Sequence, residues 1–139
     1  MKTSVDTGAW LAVVVQTDQY HEVGVLHYEA LISRRERLFT SDYVLDETVT
    51  RIRYDASHAT AVAFLDVIGE VERSGALRIL HVDNAVWRAA EALFRQYYDQ
   101  DYSFTDCTSF VLVQQAEVDE VFGFDQHFLM FGFNVKPLW

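Results

Sequence analysis

Four carboxylates stand where the chain changes from one element to the next, and their positions are where acid–metal chemistry would begin. Asp6 directly follows a brief extended run over residues 3–5, and Asp125 directly follows a second one over 120–124. Asp106 opens a helical stretch over 105–115 after the polar loop 98–103, and Glu47 lies in the first turns of a stretch over 43–54. Each has an ordinary structural explanation when taken alone. Asp6 and Asp125 could cap the helices they precede, Ser103 and Asp106 nearly spell a capping box, and Glu47 stands four residues before Arg51, the favoured order for a helix-surface ion pair. Gathered at one place they would do more. Packed carboxylates repel one another and raise each other's pKa, so they stay ionised only when a cation neutralises them. An all-oxygen donor set suits magnesium or manganese rather than zinc or copper.

The elements that would have to gather them alternate in type. After the first run come apolar residues 8–16 and a helical stretch over 19–37 with Val23, Leu26, Ala30 and Leu31 on one face. A strand over 38–41 leads into the 43–54 helix, and Ser57 caps a helix whose Ala61, Phe64, Leu65, Ile68 and Val71 recur at helical spacing. A strand over 77–82 follows, then a helix from Asp83 to Tyr98 with Val86, Ala90, Leu93, Phe94 and Tyr97 inward. A short helix over 126–131 and a strand over 133–136 close the order. Such alternation predicts an α/β fold, a three-layer α/β/α sandwich with a mostly parallel central sheet, in one domain over 1–139. In open sheets of this kind ligands bind beyond the carboxyl ends of the strands, which is where Asp6 and Asp125 fall.

Composition limits the partners. Half of the 139 residues are hydrophobic and 14% are aromatic, enough for a packed core. The net charge is −10, and only Lys2 and Lys136 are lysines. Such a surface repels a polyanion and suits a cation or a basic protein. The lone Cys107 allows neither an internal disulfide nor a cysteine-based zinc site, so a cytoplasmic setting is the expectation. The apolar run 9–15 is too short to span a membrane, for which roughly 20 residues are needed. The five histidines show no metal-ligand spacing. Arg34, Arg35 and Arg37, and likewise Arg51 and Arg53, read as solvated helix faces.

Four segments resemble the motifs of the PIN-domain family. Val5-Asp6-Thr7-Gly8-Ala9-Trp10 is similar to the first motif, a strand ending in Asp before a small hydroxyl residue. Asp46-Glu47-Thr48-Val49-Thr50 resembles the second, and Tyr102-Ser103-Phe104-Thr105-Asp106-Cys107 the third. Val121-Phe122-Gly123-Phe124-Asp125-Gln126-His127-Phe128, with Gly132-Phe133 and Pro137, resembles the closing segment. The resemblance implies a metal-dependent nuclease, and among small single-domain members a VapC-like toxin of a toxin–antitoxin pair. It further implies that Asp6, Glu47, Asp106 and Asp125 hold one or two Mg²⁺ or Mn²⁺ ions and act on RNA. Thr7, Ser103 and Thr105 would be hydroxyls orienting those carboxylates or the attacking water. A basic antitoxin tail and a homodimer are the implied protein partners, with Trp87, Trp139 and Tyr28 as candidate contact residues.

Several alternatives stay open at this level. Asp46 competes with Glu47, since adjacent helix residues point about 100° apart and only one can face the site. A housekeeping RNA-processing nuclease without an antitoxin, or a non-catalytic module of the same fold, fits the same motifs. A phosphorelay receiver domain shares the size and the acidic pocket, but the first strand here lacks that domain's acidic pair.

Overall fold

Five short strands set the frame: β1 (Lys2–Val5), β2 (Arg37–Ser41), β3 (Leu77–Leu80), β4 (Glu120–Phe122) and β5 (Val135–Lys136). In this computed structural model, which describes all 139 residues, they form one sheet in the order β3-β2-β1-β4-β5. Every pairing is parallel. The order reverses between β1 and β4, because the chain first builds outward from β1 through β2 and β3 and then crosses back to add β4 on β1's other side. A crevice opens at such a switch point, where successive connections leave the sheet on opposite faces.

Seven helices make the connections: α1 (Thr7–Val14), α2 (His21–Ser33), α3 (Asp42–Asp55), α4 (His58–Arg73), α5 (Asn84–Gln96), α6 (Phe104–Gln115) and α7 (Gln126–Phe131). They cover the sheet as two layers with separate cores. Val5, Leu38, Leu77 and Phe122 from the strands pack with Trp10, Leu31, Ile52, Phe64 and Ile68 from α1 to α4. Val121 and Val135, from the opposite face, pack with Val86, Ala90, Phe110, Leu112 and Phe128 from α5 to α7. The neighbours Val121 and Phe122 thus feed different cores, as the period-two pleat requires. In α6 the run Cys107–Val113 is buried continuously, Thr108 and Ser109 included, since the helix is covered by α5, α3 and α7 at once.

The three-layer parallel α/β fold expected from the sequence is what forms. Several details are corrected. Leu26 is 67% exposed, and Leu65 and Phe94 are each 48% exposed. The inward stripe of α2 runs through Gly24 and Leu31 instead. A Cβ on Gly24 would lie 2.9 Å from that of Ala12, so α1 and α2 approach through a residue that a count of apolar side chains does not register. Phe94 pairs edge-on with Phe104 near the surface. β4 ends at Phe122, so Asp125 follows the strand by three residues rather than directly. Gly123 still donates its N–H to the Lys136 carbonyl before the chain turns away. The closing strand is only Val135–Lys136.

Candidate active site: a carboxylate cleft at the sheet switch point

The cleft lies beyond the carboxyl ends of β1 and β4 and encloses about 410 Å³. Asp6, Glu47, Asp106 and Asp125 all line it, joined by Asp18 and Asp101 at the rim. Against these six carboxylates stand only Arg51 and His127. Three separate connections bring the acids together: the β1–α1 junction supplies Asp6, the start of α6 supplies Asp106, and the turn into α7 supplies Asp125. Glu47 comes from the second turn of α3.

Asp6 occupies the N-cap position of α1 but makes no side-chain capping bond. Its ordinary structural role is therefore unfilled, although it is 9% exposed. Burial, then the charges of Asp106, Glu47 and Asp125, push its pKa up to about 8, opposed by the Thr7 backbone N–H. A carboxylate held this way keeps a proton at neutral pH unless a cation replaces it.

Asp106 and Asp125 do fill their structural roles, and both also face the cleft. Ser103 caps α6 by accepting the Asp106 N–H at 3.0 Å, and one Asp106 oxygen accepts the Ser103 N–H at 3.0 Å, completing a capping box. Asp125 caps α7 by accepting the His127 N–H at 2.9 Å. The His127 ring lies between the two acids, with Nδ1 3.0 Å from Asp106 and 3.2 Å from Asp125. Ligand atoms of these three residues all lie within 4.8 Å of one another. Burial and the nearby Asp125 raise the Asp106 pKa, while the Ser103 N–H and His127 pull it down.

The choice between Asp46 and Glu47 is made by α3: Glu47 is half-buried in the cleft wall and Asp46 is exposed outside it. Glu47 and Arg51 do not form the expected ion pair; both side chains line the cleft instead. Arg51 is exposed, as expected of a solvated helix face, and stands at the edge of that lining. Thr7 lines the cleft with its Oγ1 buried and without a hydrogen-bond partner. Ser103 also lines it, whereas Thr105 does not. Tyr28, a candidate contact residue, packs on Trp10 at 6.1 Å between ring centroids and is half-buried, while Trp87 and Trp139 are 40% and 42% exposed. His127 was invisible to ligand-spacing rules because its partners are an acid two residues before it and another 21 residues away. The signal available was Asp-x-His at a helix start, where a capping Asp and the residue two positions on necessarily share one end.

The donor set fits a hard divalent cation: clustered oxygens, one buried carboxyl that keeps its proton when no cation is bound, and an unpartnered threonine hydroxyl at the same wall. A parallel sheet with an acidic cleft at its switch point defines an α/β protein whose ligand crevice is lined mainly by carboxylates.

The chain belongs to the PIN-domain family, whose profile it matches over residues 4–133. It is 31% identical over 130 residues to a VapC ribonuclease of Archaeoglobus fulgidus, covering 92% of this chain and 80% of that protein. It is 28% identical over 134 residues to the 23S rRNA-specific endonuclease VapC20 of Mycobacterium tuberculosis, covering 96% of this chain and 97% of that one. The crystal structure of M. tuberculosis VapC20, a sarcin–ricin loop cleaving toxin, superposes with a TM-score of 0.80 at 26% identity, covering 94% of this chain and 95% of the other. VapBC2 from Rickettsia felis, solved with a promoter DNA fragment, shares the fold with a TM-score of 0.69 at 11% identity over 98% of each chain.

Proposed function

We infer that this chain is a divalent-metal-dependent endoribonuclease that hydrolyses RNA phosphodiester bonds and serves as the toxin of a toxin–antitoxin pair. The observation that carries the reading is Asp6: a carboxyl that caps nothing, pushed towards its protonated form first by burial and then by three other acids lining the same cleft. Asp6, Glu47, Asp106 and Asp125 would hold Mg²⁺ or Mn²⁺. Bound there, the ion supplies Lewis-acid chemistry, making water nucleophilic at neutral pH and stabilising the departing oxygen.

The chain's own groups prepare the cleft. His127 fixes the orientations of Asp106 and Asp125 by spanning both, and the Ser103 N–H holds the Asp106 carboxylate from the other side. The Thr7 hydroxyl has its hydrogen-bonding capacity free for a carboxylate or a water in the cleft. Arg51, the one guanidinium in the lining, is placed to meet a phosphate oxygen as a charge-assisted donor. Thr105, outside the lining, acts only through the first turn of α6.

An antitoxin reading is supported by the likeness to VapC proteins and by charge. A cleft with six carboxylates and a chain at −10 suit a basic segment whose arginine forks onto paired carboxylates. A homodimer formed through exposed aromatics such as Trp87 belongs to the same proposal. No helix is long and apolar enough to cross a membrane. The test is incubation of purified protein with a ribosomal RNA fragment and Mn²⁺ beside Asp6→Asn and Asp106→Asn variants. Cleavage by the wild type, abolished in both variants and by chelation, is expected; equal cleavage by all three would remove the catalytic assignment.

A further inference from the structure

The amino-terminal edge of the sheet, opposite the cleft, carries positive charge that no acid of the chain pairs with. Lys2 of β1 and Arg37 of β2 are direct cross-strand partners, and Phe39 of β2 is the partner of Arg78 of β3. Register partners and alternate residues share a face of the sheet, so three cations on three adjacent strands surround one ring. The Lys2 Nζ lies 5.9 Å and the Arg37 guanidinium carbon 6.0 Å from the Phe39 centroid. Phe39 is only 3% exposed yet joins neither helix-covered core; the apolar stems of these cations lie over it and leave their heads to water. Arg37, expected on a solvated helix face, thus stands on a strand.

Like charges directly opposite in a sheet repel, and the usual relief is missing. None of the three forms an ion pair, whereas Arg88 and Arg95 share Glu91 at 3.3 and 3.2 Å. Glu36, next to Arg37 in the chain, is taken by the amino group of Met1 at 3.3 Å, and Asp119 accepts the Lys2 backbone N–H at 2.8 Å. The Lys2 Nζ donates to the Ala116 carbonyl at the end of α6 at 3.0 Å. Arg37 and Arg78 are exposed, with their guanidinium donors free.

We propose that Lys2, Arg37 and Arg78 form an anchoring surface for the phosphates of RNA that extends beyond the cleft. This rests on the ribonuclease reading above and adds to it where the substrate's affinity comes from. The cleft sets one guanidinium, Arg51, among six carboxylates, so a polyanion gains little electrostatic affinity there. A guanidinium presents parallel N–H donors that match phosphate oxygens. A chain at −10 repels any polyanion at long range, so the attraction acts only on contact. That favours the dense charge of a phosphodiester backbone over the sparser charge of an acidic protein. Lys2 and Asp6 lie at opposite ends of β1, about 13 Å apart along the strand, so only an RNA with flanking nucleotides reaches both edges.

The experiment measures anisotropy of two fluorescein-labelled RNAs, one of about 4 nucleotides, the smallest single-strand footprint, and a ribosomal RNA fragment of about 30, across a salt series at fixed low Ca²⁺. It compares wild type, the double variant Arg37→Gln with Arg78→Gln, and the charge-keeping double Arg37→Lys with Arg78→Lys. For the long RNA the glutamine double is expected to bind roughly 10- to 30-fold more weakly, and its log–log salt slope to shrink by about 1.4, or about 0.7 for each lost phosphate contact. The lysine double should hold within about threefold, and the short RNA should bind all three proteins alike. In Mn²⁺ the glutamine double should raise KM for the long RNA and leave kcat nearly unchanged. Equal salt slopes in wild type and the glutamine double, or an equal loss with the short RNA, would overturn the anchor even if the wild type cleaves RNA. Displacement of the long RNA by polyglutamate as readily as by unlabelled RNA would overturn it too, and assign the surface to an acidic protein. Arginine-dependent binding with no hydrolysis would keep the anchor and reject the nuclease reading.

Discussion

At the scale of single residues, the burial of Asp6 has a thermodynamic sign. Its pKa stands near 8 in the folded protein against 3.8 ordinarily, so between those values the folded chain carries a proton that the unfolded chain has released. Stability from this group is complete below the ordinary value and declines as pH rises towards about 8. Asp106 is shifted in the same direction. Chelator-treated protein should therefore melt at a lower temperature at pH 8 than at pH 5, with Asp6→Asn flattening the difference and Mn²⁺ giving its largest increase at pH 8. A melting temperature independent of pH, alike in the variant, would mean that the carboxyl is not held as described. His127 makes a second prediction. Its removal leaves Asp106 and Asp125 without their shared partner, so His127→Ala should weaken Mn²⁺ binding by roughly 10- to 100-fold, read by titration. Asp6→Asn should lower cleavage by more than that range, roughly 100-fold or more, because in the proposed site this carboxyl would itself be a donor to the ion.

At the scale of elements, two glycines in helices should respond to alanine with opposite signs. Gly24→Ala places a Cβ 2.9 Å from Ala12 and must push α2 away from α1. Overpacking costs about 1–3 kcal/mol, against about 1 kcal/mol gained in helix propensity, so a net loss is expected in denaturant unfolding. Gly69→Ala in α4 meets only the mobile end of Arg73 at 3.2 Å and should be neutral or stabilising by up to about 1 kcal/mol. The helix caps belong to this scale as well, and they explain what the sequence could reveal. Ser57, Asp83 and Ser103 announce helix starts by local chemistry, and each does cap in the structure. Where two helices meet through Gly24, or where Leu26 and Leu65 turn outward, the deciding contact comes from another segment and local periodicity cannot anticipate it. The same holds within the cleft. Capping and a place in the acidic site are competing explanations for Asp106 and Asp125 in the sequence, whereas in the structure both acids cap a helix and both also face the cleft, since a helix N-terminus at a sheet edge is already a place where carboxylates are stabilised.

Across the whole molecule, charge and fold oppose each other in a way that defines how substrate can be held. The switch-point cleft is the natural ligand site of this sheet, yet its lining repels phosphate. The motif spacing made the convergence of Asp6, Glu47, Asp106 and Asp125 legible, because strand ends and helix starts lie on one edge of a parallel sheet. The solitary cationic position of Arg51 and the bridging by His127 were not, since they depend on which face of a helix or turn meets the cleft. With Arg51 as the sole guanidinium there, metal-supported affinity for an RNA that fills only the cleft should fall by less than about threefold between 100 and 200 mM salt, the response of one or two phosphate contacts. A steeper fall would reveal an additional basic surface at the cleft.

The most direct test of the shared carboxylate site is calorimetric titration of Mn²⁺ into chelator-treated protein at pH 6 and pH 7.5, in buffers of different ionisation enthalpy. Saturable uptake is predicted, tighter at pH 7.5, accompanied by proton release and lost in Asp6→Asn and Asp106→Asn. Absence of uptake, or identical uptake in wild type and both variants, would contradict a cation held by these acids.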